Sequence, residues 1–216
     1  MESSKQHLSD IAEIKSMMER SSRFISLSGL SGIFAGIYAL IGAVLVYNRM
    51  YSADGFFYKR AETYSHTSDI NFMIIVAVSV LLLALITGIF FTTRKARKHN
   101  QNTWDKTTQR LIINLMIPLA AGGFICIMLL KSHYYTLVAP ATLIFYGLAL
   151  INASHHTYRD IRYLGLTELV IGFIACIYIE YDLLFWAIGF GVLHIIYGTL
   201  MYMRYERPDS VESTDN

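Results

Sequence analysis

The sequence is poor in charge, cysteine and proline. Asp, Glu, Lys and Arg make up 16% of the 216 residues, against about 25% in an ordinary soluble domain. Two cysteines exclude a secreted disulfide scaffold, and a net charge of +2 argues against a nucleic-acid-binding protein. With 54% apolar residues and a mean hydropathy of +0.42, the composition favours an integral membrane protein.

Familiar catalytic motifs are missing as well. The sequence contains no GxSxG, Walker A, CxxC or HExxH motif. The histidine boxes of membrane di-iron enzymes are also absent, and a haem held by two buried histidines is not predicted, because only His194 lies deep in an apolar run. Composition and motifs therefore favour a non-enzymatic membrane protein without naming its role.

Long apolar runs are abundant. Six are long enough to span a bilayer, which takes about 20 residues as a helix, and backbone in hydrocarbon has to satisfy its own hydrogen bonds. The predicted fold is all-α: a six-transmembrane-helix bundle at 25–203, after a leader at 1–24 and before a flexible cytoplasmic tail at 204–216. The predicted spans are 25–47, 71–92, 111–130, 134–153, 164–180 and 183–203.

The distribution of Lys and Arg predicts the orientation. Fourteen of the eighteen lie in the leader, in the loops after spans 2 and 4 and in the tail, and four lie on the other side. Because cytoplasmic segments carry the excess of Lys and Arg, both termini are predicted to be cytoplasmic. A basic run follows span 2, and the predicted orientation is enough to account for it. The run could also hold anionic lipid headgroups; it consists of Arg94, Lys95, Arg97 and Lys98.

The leader is predicted to form an amphipathic helix over residues 3–23. Leu8, Ile11, Ile14 and Met18 recur at spacings of three and four, with charged residues between them. Such a helix either lies on the inner leaflet or docks a cytoplasmic protein partner or a second subunit. Its mixed charge weakens the lipid interpretation, since interfacial helices are usually basic.

Spans 3–4 and 5–6 resemble each other. Residues 123–127 (GFICI) are similar to 172–177 (GFIACI), and residues 145–148 (FYGL) are similar to 196–199 (IYGT). This similarity favours a bundle built from repeated helical hairpins.

Span 1 contains two columns of small residues, which let helix backbones approach closely. The columns either pack inside the bundle or form the interface of a homo-oligomer. They consist of Ser28, Gly32 and Gly36, and of Ser31, Ala35, Ala39 and Ala43.

Two ionisable residues lie within the predicted spans, where charge is costly and marks a candidate functional site. Glu168 is roughly 6 Å from the inner end of span 5, and His194 is roughly 14 Å from the inner end of span 6. This difference predicts that a direct contact needs helix tilt, extended side chains or a water. Asn152, near the inner end of span 4, completes the candidate polar site.

Three interpretations of this polar site remain open. Glu168 and His194 fix the bundle through hydrogen bonds, or line a proton-coupled or ligand-binding path that opens inward, or belong to a metal site. Zinc takes three or four converging N, S or O ligands. His155, His156 and Asp160 are nearby candidates, the last two being on one face if the helix continues.

The start of the chain resembles a known group of proteins. Residues 18–32 (MERSSRFISLSGLSG), running on to Gly36, resemble the opening of a group of small uncharacterised bacterial multi-pass membrane proteins. That group has no assigned activity, so the resemblance implies a bacterial inner membrane location and adds no mechanism.

Three functional hypotheses follow. The first is a sensory or structural protein that acts through cytoplasmic partners at residues 3–23, because a patterned leader accompanies the absence of catalytic motifs. The second is a small-molecule or proton-coupled transporter that uses Glu168 and His194. The third is a metal-dependent membrane enzyme that uses the inner His, Asp and Glu cluster.

Overall fold

The computed structural model describes residues 27–51, 67–98 and 104–206. Within these ranges the chain is helical and contains no strand, which confirms the all-α prediction there. The predicted leader helix at 3–23, most of the loop after span 1 and the tail from residue 207 lie outside the described residues.

The described helices follow the predicted spans in order. The last one is composite, because a π-helix, Ala187–Leu193, joins two α-helical parts without a break. We call residues 182–205 the composite helix. The α-helices are α1 (Gly29–Tyr51), α2 (Thr67–Lys98), α3 (Lys106–Lys131), α4 (Val138–Ala153), α5 (Arg159–Ile177), α6 (Asp182–Trp186) and α7 (His194–Tyr205).

Five segments in the described part of the chain are long and apolar enough to cross a membrane. They contain α1, α2, α3, α4 and the composite helix. α5 is not among them; it begins with three charged residues within its first four, Arg159, Asp160 and Arg162. The chain is therefore a helical membrane protein with five such segments, and α5 is a further helix that is not one of them.

The core lies between α4, α5, the composite helix and α1. Of the apolar segments, 33% is buried in the one that contains α1, 39% in the one that contains α4 and 22% in the one that contains the composite helix. α2 packs on α1, and α3 packs on α4. Only 6% of the apolar segment of each of these two helices is buried, so α2 and α3 form the flanks of the bundle.

Glycines bring the core helices into backbone contact. A Cβ atom on Gly36 would lie 2.6 Å from the carbonyl oxygen of Gly191, and one on Gly147 would lie 2.7 Å from that of Gly165. The column of Ser28, Gly32 and Gly36 thus packs against the composite helix of the same chain. In the second column, Ala39 and Ala43 are buried, and Ser31 and Ala35 are partly buried.

A polar cluster that we call the terminal clasp joins the start of α1 to the end of α7. The Glu206 carboxylate accepts hydrogen bonds from the Gly29 N–H at 2.6 Å and from Ser28 Oγ at 3.1 Å. Lys95 Nζ lies 3.3 Å from Glu206 Oε1 and donates to the Leu27 carbonyl at 2.8 Å. A carboxylate is favourable there, because helix N-termini carry unpaired N–H groups and a positive partial charge.

The terminal clasp changes the lipid prediction for one residue. The Lys95 side chain is 11% exposed and is held by protein oxygens, so it is not available to a lipid headgroup. Arg94, Arg97 and Lys98 are exposed, and the lipid prediction stays open for these three.

Candidate functional site

Glu168 lies on the buried face of α5. The residues of this face recur three and four positions apart, and Glu168 itself has no solvent-accessible surface. Gly165 allows α4 to approach closely there. The full set of buried residues on α5 is Ile161, Leu164, Gly165, Glu168, Gly172 and Ala175. A carboxyl group therefore occupies a position that would otherwise hold an apolar core side chain.

His194 contacts Glu168 directly. Its Nδ1 lies 3.3 Å from Glu168 Oε1 and 3.1 Å from the Gly189 carbonyl oxygen, and its Nε2 lies 2.8 Å from the Tyr146 hydroxyl. Within the described residues, neither Glu168 oxygen has an aligned hydrogen-bond donor, and the contact with His194 is an ion pair only if His194 is protonated. The three side chains form a continuous polar chain, which we call the buried triad: Glu168, His194 and Tyr146.

The π-helix makes room for this arrangement. π-helical turns often occur at functional sites, and this one contains the buried glycines Gly189 and Gly191. A Cβ atom on Gly189 would lie 2.5 Å from Glu168 Oε2 and would also collide with Leu143. Gly189 thus allows the composite helix to pass over the carboxylate, and its carbonyl orients the imidazole of His194.

The sequence predicted that Glu168 and His194 differ in depth, whereas the structure places their side chains in direct contact. α5 begins at Arg159, five residues before the predicted start of span 5 at 164. Arg204 and Tyr205 donate hydrogen bonds to Asp160, so the first turn of α5 lies beside the last turn of α7. From that level, Glu168 is eight residues and His194 ten residues along antiparallel helices, or roughly 12 and 15 Å.

The buried triad can hold and move a proton. Burying an ionised carboxylate without a partner is very unfavourable, so Glu168 has to be protonated or paired with a protonated His194. Either state places one proton between the two side chains and leaves the pair neutral. The Tyr146 hydroxyl can accept from or donate to His194 Nε2 according to the tautomer, which extends the chain by one further step.

The other predicted polar residues lie elsewhere. Asn152 donates to the Asn114 carbonyl at 2.8 Å and so ties α4 to α3. The helix does not continue through His156 as predicted, because α4 ends at Ala153 and Thr157 is extended. Asp160 accepts hydrogen bonds from Arg204 and Tyr205.

The metal hypothesis gains no support from this arrangement. His155 lies exposed and His156 partly exposed on a 3₁₀ turn, Ser154–His156. In the described ranges, no three His, Cys, Asp or Glu side chains are grouped closely enough to hold a metal ion.

Sequence reasoning missed Tyr146, Gly189 and Glu206. A signal existed for Tyr146, because a tyrosine in the middle of a span cannot reach the interface and its hydroxyl needs a buried partner. Gly189 gives no distinct signal among the glycines of an apolar run. Glu206 lies just beyond the last span, and its partner at Gly29 is 177 residues away in sequence.

Comparisons with protein-family models, curated proteins and solved structures find no match for this chain.

Proposed function

We propose that this chain is a proton-coupled membrane transporter in which the Glu168–His194 pair takes up and releases the coupling proton. One observation carries the proposal: a fully buried carboxylate lies 3.3 Å from a buried imidazole inside the bundle. Ionisable groups at membrane depth are costly and mark proton relays and substrate paths. Packing alone does not require the ionisable side chains of Glu168 and His194, since an apolar pair of similar volume is often at least as stable.

The proposal includes six spans: the five apolar segments and α5, which is the fifth span in chain order. Its support is the burial of Glu168 and the close contact of Gly165 with α4. With six spans, both termini lie on one side, and the excess of Lys and Arg on that side favours the cytoplasm. Together with the resemblance of residues 18–32, this favours the inner membrane of a bacterium.

Orientation is tested with reporter fusions that are active on only one side of the membrane. Fusions after residues 98, 157 and 206 should report the cytoplasm, and fusions after 132 and 180 should report the outside. The same side for residues 157 and 180 would remove α5 as a span.

The central experiment compares Glu168→Gln with wild type. Purified protein in lipid vesicles is examined by infrared difference spectroscopy between mildly acidic and mildly alkaline pH, and proton flux is followed with a pH-sensitive dye under an imposed potential. We expect a protonation signal from one buried carboxyl and pH-dependent flux, both lost in Glu168→Gln. Glu180→Gln, which removes an exposed carboxylate, is the matched control and should behave as wild type. Unchanged signals in Glu168→Gln would refute the proposal.

A sensory or structural role through a cytoplasmic partner is the second candidate. The terminal clasp favours it, because Glu206 contacts Ser28 and Gly29 and so holds the segments next to the leader and the tail side by side. Deletion of residues 1–20 should then remove a co-purifying partner while proton flux persists. Unchanged complexes after the deletion would exclude this role for the leader.

A further inference from the structure

A patch of aromatic rings lies directly beside the buried pair. Trp186, Phe190 and His194 follow each other at intervals of four along the composite helix, and α4 contributes Tyr146. The ring centroids of Trp186 and Phe190 are 5.3 Å apart, those of Tyr146 and Phe190 are 5.1 Å apart, and those of Phe190 and His194 are 5.9 Å apart. The rings therefore form one contiguous aromatic cluster from the first turns of the composite helix to His194.

The aromatic cluster and Glu168 differ in exposure. Trp186 and Phe190 are only partly buried, whereas Glu168 is completely buried. The described residues provide no aligned hydrogen-bond donor to either oxygen of Glu168. A buried carboxyl group without an aligned donor thus lies next to a partly exposed aromatic cluster, which it contacts through His194.

This combination favours a ligand of one chemical class. Aromatic faces attract cations, and aromatic side chains are the usual means of recognising quaternary ammonium groups. A strongly hydrated metal cation would need several oxygen ligands, whereas a lipophilic organic cation needs ring faces and one negative charge. We propose that Trp186, Phe190 and Tyr146, with Glu168, bind a lipophilic organic cation, which is the transported substrate.

The proposal rests on the proposed function and specifies how the two ions are coupled. The organic cation and the proton each neutralise Glu168, so they compete, and release of one permits binding of the other. The titratable groups that contact Glu168 from its packing partners are His194 on the composite helix and, through His194, Tyr146 on α4. α1 faces the composite helix at this level with Gly32 and Gly36.

The chain provides its own reporter for the test. It has two tryptophans, Trp104 and Trp186, and Trp104 is exposed before α3. Trp104→Phe leaves Trp186 as the only indole. Tetraphenylphosphonium is titrated into this variant in detergent, with triphenylphosphine oxide as the neutral comparison.

We expect saturable quenching of Trp186 by tetraphenylphosphonium, little effect of the neutral compound, and weaker binding at acidic pH. Glu168→Gln should abolish saturation, and Phe190→Leu should weaken binding by about threefold to thirtyfold, as the loss of one cation–π contact implies. Phe173→Leu, which removes an exposed ring on α5, should leave binding unchanged.

Quenching that is not saturable, or that persists in Glu168→Gln, would overturn the proposal. The two proposals fail separately. Proton exchange that depends on Glu168, in a protein that does not bind tetraphenylphosphonium, would leave the transporter proposal standing and remove the organic cation.

Discussion

Glu168 depends on His194 for its polar contact. Within the described residues its oxygens have no aligned donor, and His194 Nδ1 is shared between Glu168 and the Gly189 carbonyl. The sequence identified these two residues, because charge is rare in apolar runs. It did not identify Tyr146, since one tyrosine among fifteen is easily assigned to the membrane interface.

Replacing His194 alone should therefore lower the free energy of unfolding more than replacing both His194 and Glu168. His194→Ala leaves the carboxylate without its polar neighbour, and breaking a buried pair in this way costs about 3–5 kcal/mol. Adding Glu168→Gln should restore part of the free energy of unfolding, because a neutral amide is less costly to bury. Denaturation in detergent micelles measures both variants and the two single substitutions. Effects that add within about 0.5 kcal/mol would mean that the residues do not interact.

Tyr146→Phe isolates the next step of the buried triad. It removes the hydroxyl 2.8 Å from His194 Nε2 and keeps the ring against Phe190. We expect a loss of about 0.5–1.5 kcal/mol in the free energy of unfolding and a changed pH dependence of proton flux. Tyr163→Phe, at an exposed position, serves as the control, and equal effects of the two substitutions would contradict a role for the Tyr146 hydroxyl.

At the scale of elements, the apolar runs predicted where helices occur but not where they begin or end. α5 starts five residues before the predicted span. The prediction missed this turn because the turn is charged, and a search for apolar residues does not detect it. The π-helix likewise has no distinct sequence pattern, since its residues AIGFGVL are ordinary for a span. The contact between Glu168 and His194 depends on both features, so the ends of the apolar runs alone did not predict it.

Glycine contacts between elements should be far more sensitive than exposed glycines. In Gly147→Ala the new methyl group would lie 2.7 Å from the Gly165 oxygen and 2.8 Å from the Leu169 nitrogen, which are backbone atoms that cannot turn away. We expect α4 and α5 to separate, with loss of thermal stability and of proton exchange. Gly123→Ala meets nothing within 4 Å and should be neutral or stabilising by up to about 1 kcal/mol. Similar melting temperatures for both variants would refute this packing.

The first turn of α3 provides a pH-dependent contribution outside the spans. The hydrogen bond from the Thr108 backbone N–H lowers the pKa of Asp105, the N-cap residue. This contribution is complete above the pKa of an unfolded Asp, about 3.9, and is lost as the pH falls through the lower folded value.

Asp105→Ala should cost about 0.5–2 kcal/mol at neutral pH, as loss of an N-cap does. Asp105→Asn should cost little, because Asn caps helices as well as Asp. Since Asn does not titrate, the advantage of wild type over Asp105→Asn should shrink or reverse in acid. Unfolding of the three proteins at neutral and acidic pH measures this, and parallel pH profiles for wild type and Asp105→Asn would contradict it.

At the scale of the whole molecule, the order in which helices pack was not predictable from the sequence. α1 packs against the composite helix, which is last in sequence, and the terminal clasp closes the same contact. Small residues indicated that α1 has a close neighbour but did not identify it. The count of basic residues likewise predicted that Lys95 lies at the membrane surface. It did not predict the contact with Glu206, because this contact depends on how the helices pack.

The terminal clasp should stabilise the molecule more than the exposed ion pair beside it. Glu206→Gln removes the negative charge from Lys95 and from the start of α1, both largely buried; we expect a loss of about 1–3 kcal/mol with little dependence on salt. Arg204→Gln removes the pair with Asp160, in which Arg204 is 66% exposed, and should cost less than Glu206→Gln, because solvent screens exposed ion pairs. Denaturation at low and high ionic strength separates the two, and the opposite ranking would contradict the clasp.

The contact between α1 and the composite helix also sets the order of events during synthesis. Gly36 and Gly191 touch across 155 residues of chain, and a ribosome adds about 5–20 residues per second. The first helix is therefore translated about 8–30 s before its partner. During that interval its glycine face has no native neighbour, and insertion factors or lipid must cover it until the final span arrives.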